Sequence, residues 1–499
     1  MPSSKQPARL KINLGSKGPF VGPFDLALKK CSLPLEHFDT HMYVVGKTKK
    51  GKSCFLDHVL FQLIYLDQGV GVLDPHADLA NDLLAYLASY PRAEPWLSRP
   101  ENFERLIYLD PSRKDYLIPF NVLAIPGDPY SVAQNVIEAF RRTWPETLKE
   151  APRFSDIALH SLLVLIENRL TLVEFPRLLT DKDWRDQLLK KVANPDLAPF
   201  FHDRFDRWGR ERPMMIESLL NKVTALTLNP ALKLILGARE SRLNLRQIMD
   251  QRKVLIINLG AGDQETRNLL GSLLMVFFEQ AAFSRVELPK EHRPPFFLAV
   301  DEFQEFCAHA GSARVLAEVL SECRKFGLHL CLAHQSLSQL ESDRLQGALE
   351  QAQIKVLFGT GRQTARAIVG DLFLPDPSQI KHEVADEQQQ ARTHPLYTSL
   401  AEQFEGFTQA IQRLKRRSTL VQLPETDQVV ALRTLTVPRS RLSRSQLEDI
   451  KEALVRKDGV TCQELVRRVR ERRRQTKQEV EDFEPRAREP DPSRVIYQA

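Results

Sequence analysis

The chain has 499 residues, of which 42% are hydrophobic and 27% are charged, and its formal net charge at pH 7 is +6. This composition is typical of a globular protein of two to four domains, and it excludes wholesale disorder, a collagen-like fibre and a short disulfide scaffold. The longest apolar stretch, residues 269–283, is too short and too interrupted to cross a bilayer, and the first residues lack the apolar core of a secretory signal. We therefore expect a cytoplasmic protein with no membrane span of its own.

Seven short apolar runs predict strands that are buried on both faces, since each run is compact rather than alternating. Helical patterns separate most of them, so we expect an α/β fold with a mostly parallel sheet flanked by helices. The predicted strands are residues 42–45, 70–73, 105–109, 254–258, 296–300, 328–333 and 354–358.

The strand pattern is interrupted once and then ends. Between residues 145 and 243 helical periodicity replaces it, which predicts an inserted all-α domain with its own core. After residue 437, Ser443 and Gln446 form a capping box that predicts the start of a helix, and Gly459 predicts its end. We expect an arginine-rich second helix and a disordered tail to complete a C-terminal helical extension.

Basic residues concentrate in two segments, residues 413–417 and 467–474. Charge runs of this kind are found both on solvated helix faces and at nucleic-acid contacts. The sequence favours neither interpretation for either cluster.

Residues 46–53, with the sequence GKTKKGKS, match the phosphate-binding pattern GxxxxGK[ST], between a predicted strand and a helical pattern. Successive backbone N–H groups and the start of the helix would attract phosphates there. Lys52 is predicted to reach the β and γ phosphates, and the hydroxyl of Ser53 to bind Mg²⁺. The predicted nucleotide-binding residues are Gly46, Lys47, Thr48, Lys49, Lys50, Gly51, Lys52, Ser53 and Cys54.

The loop departs from the usual pattern at one position. Many such loops have glycine where Lys49 stands, and lysine tolerates a positive φ less well. Lys49 and Lys50 either add electrostatic attraction or indicate a modified loop, and a basic surface turn that happens to match the pattern is the alternative.

The predicted strand 296–300 ends in two adjacent carboxylates, Asp301 and Glu302. Side chains at the end of a parallel strand reach the ligand crevice. Asp301 suits Mg²⁺ binding, either directly or through a coordinated water, and Glu302 suits activation of an attacking water. The alternative is a helix N-cap. About 250 residues separate Lys52 from this pair, and the all-α insertion explains the distance.

Five phrases, spread in order over about residues 38–375, resemble the HerA/FtsK superfamily of motor ATPases, and within it the TraG/TraD-like coupling ATPases of conjugative and type IV secretion systems. Their joint occurrence is more specific than any single motif. The phrases are HMYVVGKTKKGKS, GVGVLDPHADLANDLL, IINLGAGDQETRNLLGSLL, FFLAVDEFQEF and LAEVLSECRKFGLHLCLAHQSLSQL.

The resemblance implies a RecA-like P-loop ATPase that binds ATP and Mg²⁺, assembles as a homo-hexamer and moves DNA through its centre. It implies that Arg324 reaches the γ phosphate of a neighbouring subunit, that Gln335 is a polar sensor, and that Asp74 in the phrase DPHADL lies at the nucleotide site. The alternatives are a helix C-terminal cation for Arg324, a strand-end turn for Gln335 and an N-cap for Asp74. Ala77 stands where glycine is usual in that phrase.

The resemblance also implies a division of the chain into domains, with the all-α domain inserted into the ATPase domain. Partners would be DNA, single or double stranded, and the proteins of a secretion channel or relaxosome. Since no membrane span is predicted, such partners are one route by which the chain could be recruited to the inner membrane. The expected domains are an N-terminal adaptor segment (1–40), a discontinuous RecA-like ATPase domain (41–144 and 244–437), the all-α insertion (145–243) and the C-terminal extension (438–499).

The leading functional hypothesis is therefore an ATP-driven DNA translocase of the conjugative or type IV secretion type. One alternative is a motor for protein substrates in a secretion system. Another is a nucleotide-binding DNA-binding or assembly module without turnover, which the unusual Lys49 leaves open. A phosphotransferase is disfavoured, because Glu302 beside Asp301 suits activation of water.

Overall fold

The computed structural model describes residues 10–17, 30–143, 154–306, 310–337, 343–373, 376–385, 393–424, 429–435, 437 and 440–481. Within these ranges the main sheet has eleven strands in the order β2-β1-β14-β13-β10-β3-β9-β8-β4-β7-β5. The strands of the described chain are β1 (Lys11–Lys17), β2 (Lys30–Pro34), β3 (Met42–Val45), β4 (Gly69–Asp74), β5 (Leu106–Leu109), β6 (Tyr116–Leu117), β7 (Val254–Asn258), β8 (Phe296–Val300), β9 (Leu328–His334), β10 (Ile354–Leu357), β11 (Ile380–Ala385), β12 (Thr393–Tyr397), β13 (Ser418–Gln422), β14 (Val429–Arg433) and β15 (Val460–Thr461).

The seven strands predicted from the sequence form the parallel part of this sheet, from β10 to β5. In β3, β5, β7, β8 and β9 every residue is buried, which explains why they appear as continuous apolar runs. The prediction of a mostly parallel sheet is thus confirmed, with strand ends that differ by one or two residues.

Four antiparallel strands, β2, β1, β14 and β13, extend the sheet beyond β10 and were not predicted. In β2 exposed and buried residues alternate over only five positions, so its apolar residues are too few to stand out in the sequence. The described parts of the predicted adaptor segment therefore include two edge strands of the main sheet.

Helices flank the sheet and build the rest of the chain. The α-helices of six or more residues within the described ranges are α1 (Lys52–Tyr65), α2 (Asp78–Ser89), α3 (Pro100–Arg105), α4 (Pro129–Thr143), α5 (Phe154–Glu167), α6 (Phe175–Thr180), α7 (Lys182–Leu189), α8 (Arg212–Leu228), α9 (Pro230–Leu236), α10 (Leu245–Asp250), α11 (Gln264–Phe283), α12 (Ala310–Glu322), α13 (Asp343–Leu349), α14 (Arg362–Leu372), α15 (Leu400–Gln412), α16 (Arg444–Asp458) and α17 (Cys462–Glu481).

The described residues pack into two units. One contains the main sheet and takes its residues from 10–112, 138–143 and 244–455, and the other is mainly helical and takes its residues from 113–137, 154–243 and 456–481. These units differ from the predicted domains, because residues 113–137 pack with the helical unit and the C-terminal extension is divided between the two. The boundaries of the functional domains stay a prediction.

The predicted capping box begins α16 as expected. The backbone N–H of Ser443 donates to Oε1 of Gln446 at 2.8 Å, and the backbone N–H of Gln446 donates to Oγ of Ser443 at 3.2 Å. Such reciprocal bonds satisfy donors that the first helical turn leaves without partners.

One helical stretch of the described chain, Thr266–Glu287, is long and apolar enough to cross a bilayer by length and composition. Its most apolar part is 78% buried inside the structure. Burial of this extent is what the core helix of a globular unit shows.

Candidate nucleotide-binding and hydrolysis site

The candidate site lies at the carboxyl ends of three adjacent parallel strands, β3, β9 and β8. In the sheet Val45 is opposite His334, and Val300 is opposite Leu332, so the residues that follow these strands emerge along one edge. In open α/β sheets this edge is where ligands bind. The phosphate loop follows β3, Gln335 follows β9, and Asp301 and Glu302 follow β8.

The phosphate loop is held against neighbouring strand ends by its backbone. The N–H of Gly46 donates to the carbonyl oxygen of His334 at 3.3 Å, and that of Lys47 to the carbonyl oxygen of Gly359 at 3.0 Å. A Cβ at Gly46 would lie 2.4 Å from Cβ of Phe358, so only glycine fits this approach. Gly51, with a φ of 114°, is the N-cap of α1, and the loop thus ends at a helix N-terminus.

Lys49 adopts a φ of 65°, the left-handed conformation for which many such loops use glycine. The loop therefore has the positive φ that a glycine would adopt at this position, although the residue there is a lysine. Lys47, Thr48 and Lys49 are exposed. Their side chains face solvent at the mouth of the loop.

Two of the predicted binding residues use their side chains to hold the loop to the fold. Nζ of Lys50 donates to the carbonyl oxygen of Leu414 at 2.7 Å, and Sγ of Cys54 donates to the carbonyl oxygen of Leu435 at 3.8 Å. The sequence reasoning assigned both residues to the nucleotide. Their backbone groups can still serve it, because they belong to the loop and to the first turn of α1.

The structure brings together the lysine and the two carboxylates that the sequence separates by some 250 residues. Nζ of Lys52 lies 2.6 Å from Oε1 of Glu302 and 3.5 Å from Oδ1 of Asp301. All three side chains are less than 10% exposed. A buried ion pair of this kind is strong because no water competes for its partners.

Gln335 links the phosphate loop to the acid pair. Its Nε2 donates to Oε1 of Glu302 at 3.1 Å, and its Oε1 accepts from Oγ1 of Thr48 at 2.9 Å. The strand order explains this contact, since β9 lies between β3 and β8. An amide so placed contacts both the loop and the glutamate, and its role as a sensor stays a prediction.

The two carboxyl groups are shifted in opposite directions. Burial by itself would raise the pKa of Glu302, but the Lys52 ammonium and hydrogen bonds from Lys52, Gln304 and Gln335 outweigh it and hold the pKa below its usual range. Burial raises the pKa of Asp301, with the Lys52 ammonium opposing and Glu302 adding to the shift. Glu302 is therefore ionised at neutral pH.

Asp74 ends β4 at the same edge of the sheet, next to β8. Both of its carboxylate oxygens accept backbone N–H groups, Oδ1 from His76 at 2.9 Å and Oδ2 from Ala80 at 2.8 Å. These bonds hold the start of α2, but the N-cap of that helix is Ala77, three residues later, so the N-cap alternative for Asp74 is wrong as stated. A role of Asp74 at the nucleotide stays a prediction.

Arg324 lies far from this group. It belongs to a 3₁₀ turn, Cys323–Phe326, just before the amino end of β9, whereas the site lies beyond the carboxyl end of that strand. Seven residues of strand span about 20 Å. Arg324 is exposed, and its own chain's Lys52 is out of reach.

The structure offers oxygen ligands for a magnesium ion at the site, the hydroxyl of Ser53 in the first turn of α1 and the carboxylate of Asp301. No group of three or more His, Cys, Asp or Glu side chains within the described ranges could hold a metal by itself. Mg²⁺ suits such a sparse site, because it commonly takes most of its ligands from phosphates and water.

Sequence reasoning missed Gln304, whose Nε2 donates to Oε2 of Glu302 at 2.8 Å. It also missed His334, whose Nε2 lies 2.5 Å from the Tyr43 hydroxyl in the buried layer behind the site. The sequence signal that could have found them is their position, since Gln304 lies shortly after β8 and His334 is the last residue of β9. Each has a common structural explanation, so the sequence did not single them out.

The two basic clusters have different surroundings. In the sheet unit, the N–H of Arg417 donates to the carbonyl oxygen of Lys50 at 2.8 Å, so residues 413–417 adjoin the phosphate loop. In the helical unit, Arg467 and Arg468 of α17 pair with Glu464, and Arg472 is buried against Glu174 at 2.9 Å. Arg472 is thus neither a solvated nor a nucleic-acid-facing residue, contrary to both interpretations of the second cluster.

Solved structures with the same fold come from conjugation and secretion. The unbound monoclinic form of the bacterial conjugative coupling protein TrwBdeltaN70 matches with a TM-score of 0.55 at 17% identity, over 83% of this chain and 90% of that chain. The plasmid coupling protein TrwB in complex with ADP and Mg²⁺ matches with a TM-score of 0.54 at 18% identity, over 82% and 89%. The chain has the fold of these coupling proteins.

VirB4 of Thermoanaerobacter pseudethanolicus also matches, with a TM-score of 0.53 at 13% identity, over 86% of this chain and 96% of that chain. No protein-family model matches the chain, and no curated protein sequence is significantly similar to it. The predicted RecA-like P-loop fold is therefore confirmed, and the motif resemblance and the fold likeness point to the same group of proteins. At these identities the likeness establishes the fold alone.

Proposed function

We propose that the chain is an ATP-hydrolysing DNA translocase of the conjugative or type IV secretion type, which works as a homo-hexamer with DNA in its central pore. The observation that carries the proposal is the buried contact of Lys52 with Glu302 at the phosphate loop, 2.6 Å between Nζ and Oε1. The neighbours TrwB, solved with ADP and Mg²⁺, and VirB4 support the choice of reaction and of system.

The chemistry follows from the three side chains around this contact. Lys52 binds the β and γ phosphates, and Glu302 takes a proton from the attacking water. The water oxygen forms a bond to the γ phosphorus while the bond to the β–γ bridging oxygen breaks, and ADP leaves with the bridging oxygen. The proton passes from Glu302 to the released phosphate, and Gln335 reports the loss of the γ phosphate through its contact with Thr48.

Ser53 and Asp301 are the residues that would hold Mg²⁺. When bound, the ion would neutralise phosphate charge during transfer. The raised pKa of Asp301, caused by its burial, would return towards the ordinary value beside a cation.

The proposed hexamer gives Arg324 its role. An exposed guanidinium at the edge of the sheet opposite its own site can reach only the site of another subunit. We propose a cytoplasmic ring, recruited to the inner membrane by secretion-channel or relaxosome proteins.

The decisive measurement is ATPase activity with single-stranded DNA, with duplex DNA and without DNA, over a series of salt concentrations. The stimulated rate should fall steeply with salt because phosphate contacts release counterions, while the basal rate should change little. Lys52→Ala should abolish turnover in every condition. Full activity of Lys52→Ala would remove the proposed site, and turnover indifferent to DNA would remove the DNA translocase.

A motor for protein substrates is the second candidate. Arg467 and Arg468 of the basic helix α17 are occupied by Glu464, and Arg472 by Glu174, which leaves fewer cations for a DNA backbone than the sequence suggested. Basal turnover without any DNA response, together with stimulation by a secreted protein, would favour this candidate.

A further inference from the structure

The carboxylate of Glu302 is held on both of its oxygens. Lys52 and Gln335 contact Oε1, at 2.6 Å and 3.1 Å, whereas Gln304 is the partner of Oε2 within the described residues, at 2.8 Å. The first two contacts connect Glu302 to the phosphate loop, which a nucleotide would occupy. Gln304 instead follows Glu302 in the chain by two residues and lies in the turn that comes next, Phe303–Phe306.

The turn that carries Gln304 is firmly anchored. Phe303 and Phe306, on either side of it in the 3₁₀ turn Phe303–Phe306, are both buried. The Phe303 ring lies 4.9 Å from the ring of His334, and Gly271 of α11 leaves room for the Phe306 ring, which a Cβ there would approach to 2.3 Å. Two fixed aromatic anchors therefore aim the amide between them at Glu302.

Glu302 itself has a strained backbone, with a φ of 43°. The left-handed region is unfavourable for a bulky residue, which persists there where the surroundings impose it. Here the N–H of Glu302 donates to Oδ1 of Asp301 at 3.0 Å, and its carbonyl oxygen accepts from Glu305 at 2.9 Å. The strain turns the glutamate side chain towards Lys52 and Gln304.

The amide oxygen of Gln304 has no donor. Within the described chain, Oε1 of Gln304 is buried and lacks a hydrogen-bond partner, while Nε2 is used on Glu302. A buried acceptor without a donor costs free energy, and it can accept a hydrogen bond from a group that binds beside it. Gln304 thus has a bonded Nε2 group and an unbonded Oε1 atom beside Glu302.

We propose that Gln304 is a positioning residue for ATP hydrolysis, which keeps Oε2 of Glu302 in place while Oε1 exchanges the Lys52 ammonium for the attacking water. The proposal rests on the proposed function and deepens it. When phosphates occupy Lys52, the lysine contact weakens, and Gln304 is the contact that stops the glutamate from rotating away. Its unused Oε1 would accept a hydrogen bond from the same water.

The electrostatics agree with this geometry. The hydrogen bond from Gln304 is one of the interactions that lower the pKa of Glu302 against the effect of burial. The other ionisable side chains of the site's surroundings are Lys52 from α1, Asp301 at the end of β8 and His334 at the end of β9, and burial keeps the pKa of His334 low so that it stays neutral. Loss of the Gln304 bond should therefore raise the pKa of Glu302.

The test compares Gln304→Met, which removes the donor at similar volume, with Gln304→Glu, which keeps the shape and adds a like charge. We expect kcat to fall about tenfold in Gln304→Met while KM for ATP stays within about twofold, because the bond acts on the base rather than on binding. The acid limb of the pH profile of kcat should move to higher pH, and further in Gln304→Glu. A fluorescent ATP analogue measures binding independently of turnover.

Gln409→Met is the matched control. Gln409 makes the same kind of bond to a glutamate, 3.1 Å to Oε1 of Glu405, on α15. The Gln409→Met variant should leave kcat and the pH profile unchanged. If both Gln304 variants are folded and keep the wild-type kcat and pH profile while Lys52→Ala is inactive, the positioning role is overturned and the proposed ATPase stands. If the wild-type protein binds ATP without turnover, the proposed function and the positioning role both fall.

Discussion

Several non-glycine residues around the candidate site adopt positive φ angles, among them Lys49 at 65°, Ala77 at 71° and Glu302 at 43°. Left-handed conformations cost residues with a Cβ roughly 1–2 kcal/mol, and they persist where the local structure demands them. For Lys49 and Glu302 the demand comes from the phosphate loop and from the acid pair. Ala77 is the N-cap of α2, so its left-handed conformation belongs to the start of that helix.

Ala77→Gly should therefore stabilise the protein by about 0.5–1 kcal/mol, because the strain relieved exceeds the added flexibility of the unfolded chain. Urea denaturation followed by circular dichroism measures the change. Ala453→Gly, at an exposed position inside α16, is the matched control and should destabilise by about 1 kcal/mol. An equal loss in both variants would show that no strain is stored at Ala77.

At the scale of elements, α17 is attached to the helical unit by one continuous stripe. Leu465 and Val469 are buried, and Arg472 continues their spacing along the helix. Arg472 donates to the carbonyl oxygen of Gly237 at 2.7 Å and pairs with Glu174 at 2.9 Å. Arg472, which the sequence places in a basic cluster, is thus a buried residue that holds α17 to the rest of the helical unit.

Arg472→Met should destabilise the protein by about 3–5 kcal/mol, because it removes the cation that pairs with Glu174, whose side chain is only 12% exposed. The double variant Arg472→Met with Glu174→Gln should recover part of the loss, since no buried charge then remains unpaired. Arg470→Met, at an exposed position of the same helix, should stay within about 0.5 kcal/mol of the wild type. Thermal denaturation of the full chain reports all three, and an Arg472→Met protein as stable as Arg470→Met would contradict the internal role.

At the scale of the whole molecule, the residues proposed to hydrolyse ATP lie at opposite ends of the parallel strands. Lys52 and Glu302 lie past the carboxyl ends of the parallel strands, and Arg324 lies before the amino end of β9. A ring in which the edge with Arg324 meets the next subunit's phosphate loop would reunite them. Activity would then depend on assembly.

Mixing Arg324→Ala subunits with Lys52→Ala subunits should restore part of the ATPase activity, because some interfaces then combine an intact Lys52 with an intact Arg324. Each variant alone should be inactive. Lys325→Ala, which removes the exposed cation next to Arg324, is the control and should stay active. Mixtures no more active than their components, or an active monomer by mass photometry, would contradict the shared site.

The sequence alone determined the seven parallel strands and the phosphate loop, because fully buried strands and a glycine-lysine turn leave continuous, local patterns. It also determined the start of α16, since a capping box needs only Ser443 and Gln446. These features depend on residues that are neighbours in the chain, so no distant contact was needed to recognise them.

Only the tertiary structure decided how distant residues meet. The strands β1, β2, β13 and β14 have apolar patterns too short to stand out, and they extend the sheet beyond β10. The contact of Lys52 with Glu302, the hold of Gln304 on the same carboxylate and the burial of Arg472 each depend on packing partners elsewhere in the chain. Whether a charged side chain faces water or a counter-ion is a property of the folded environment, and residue type alone does not carry it.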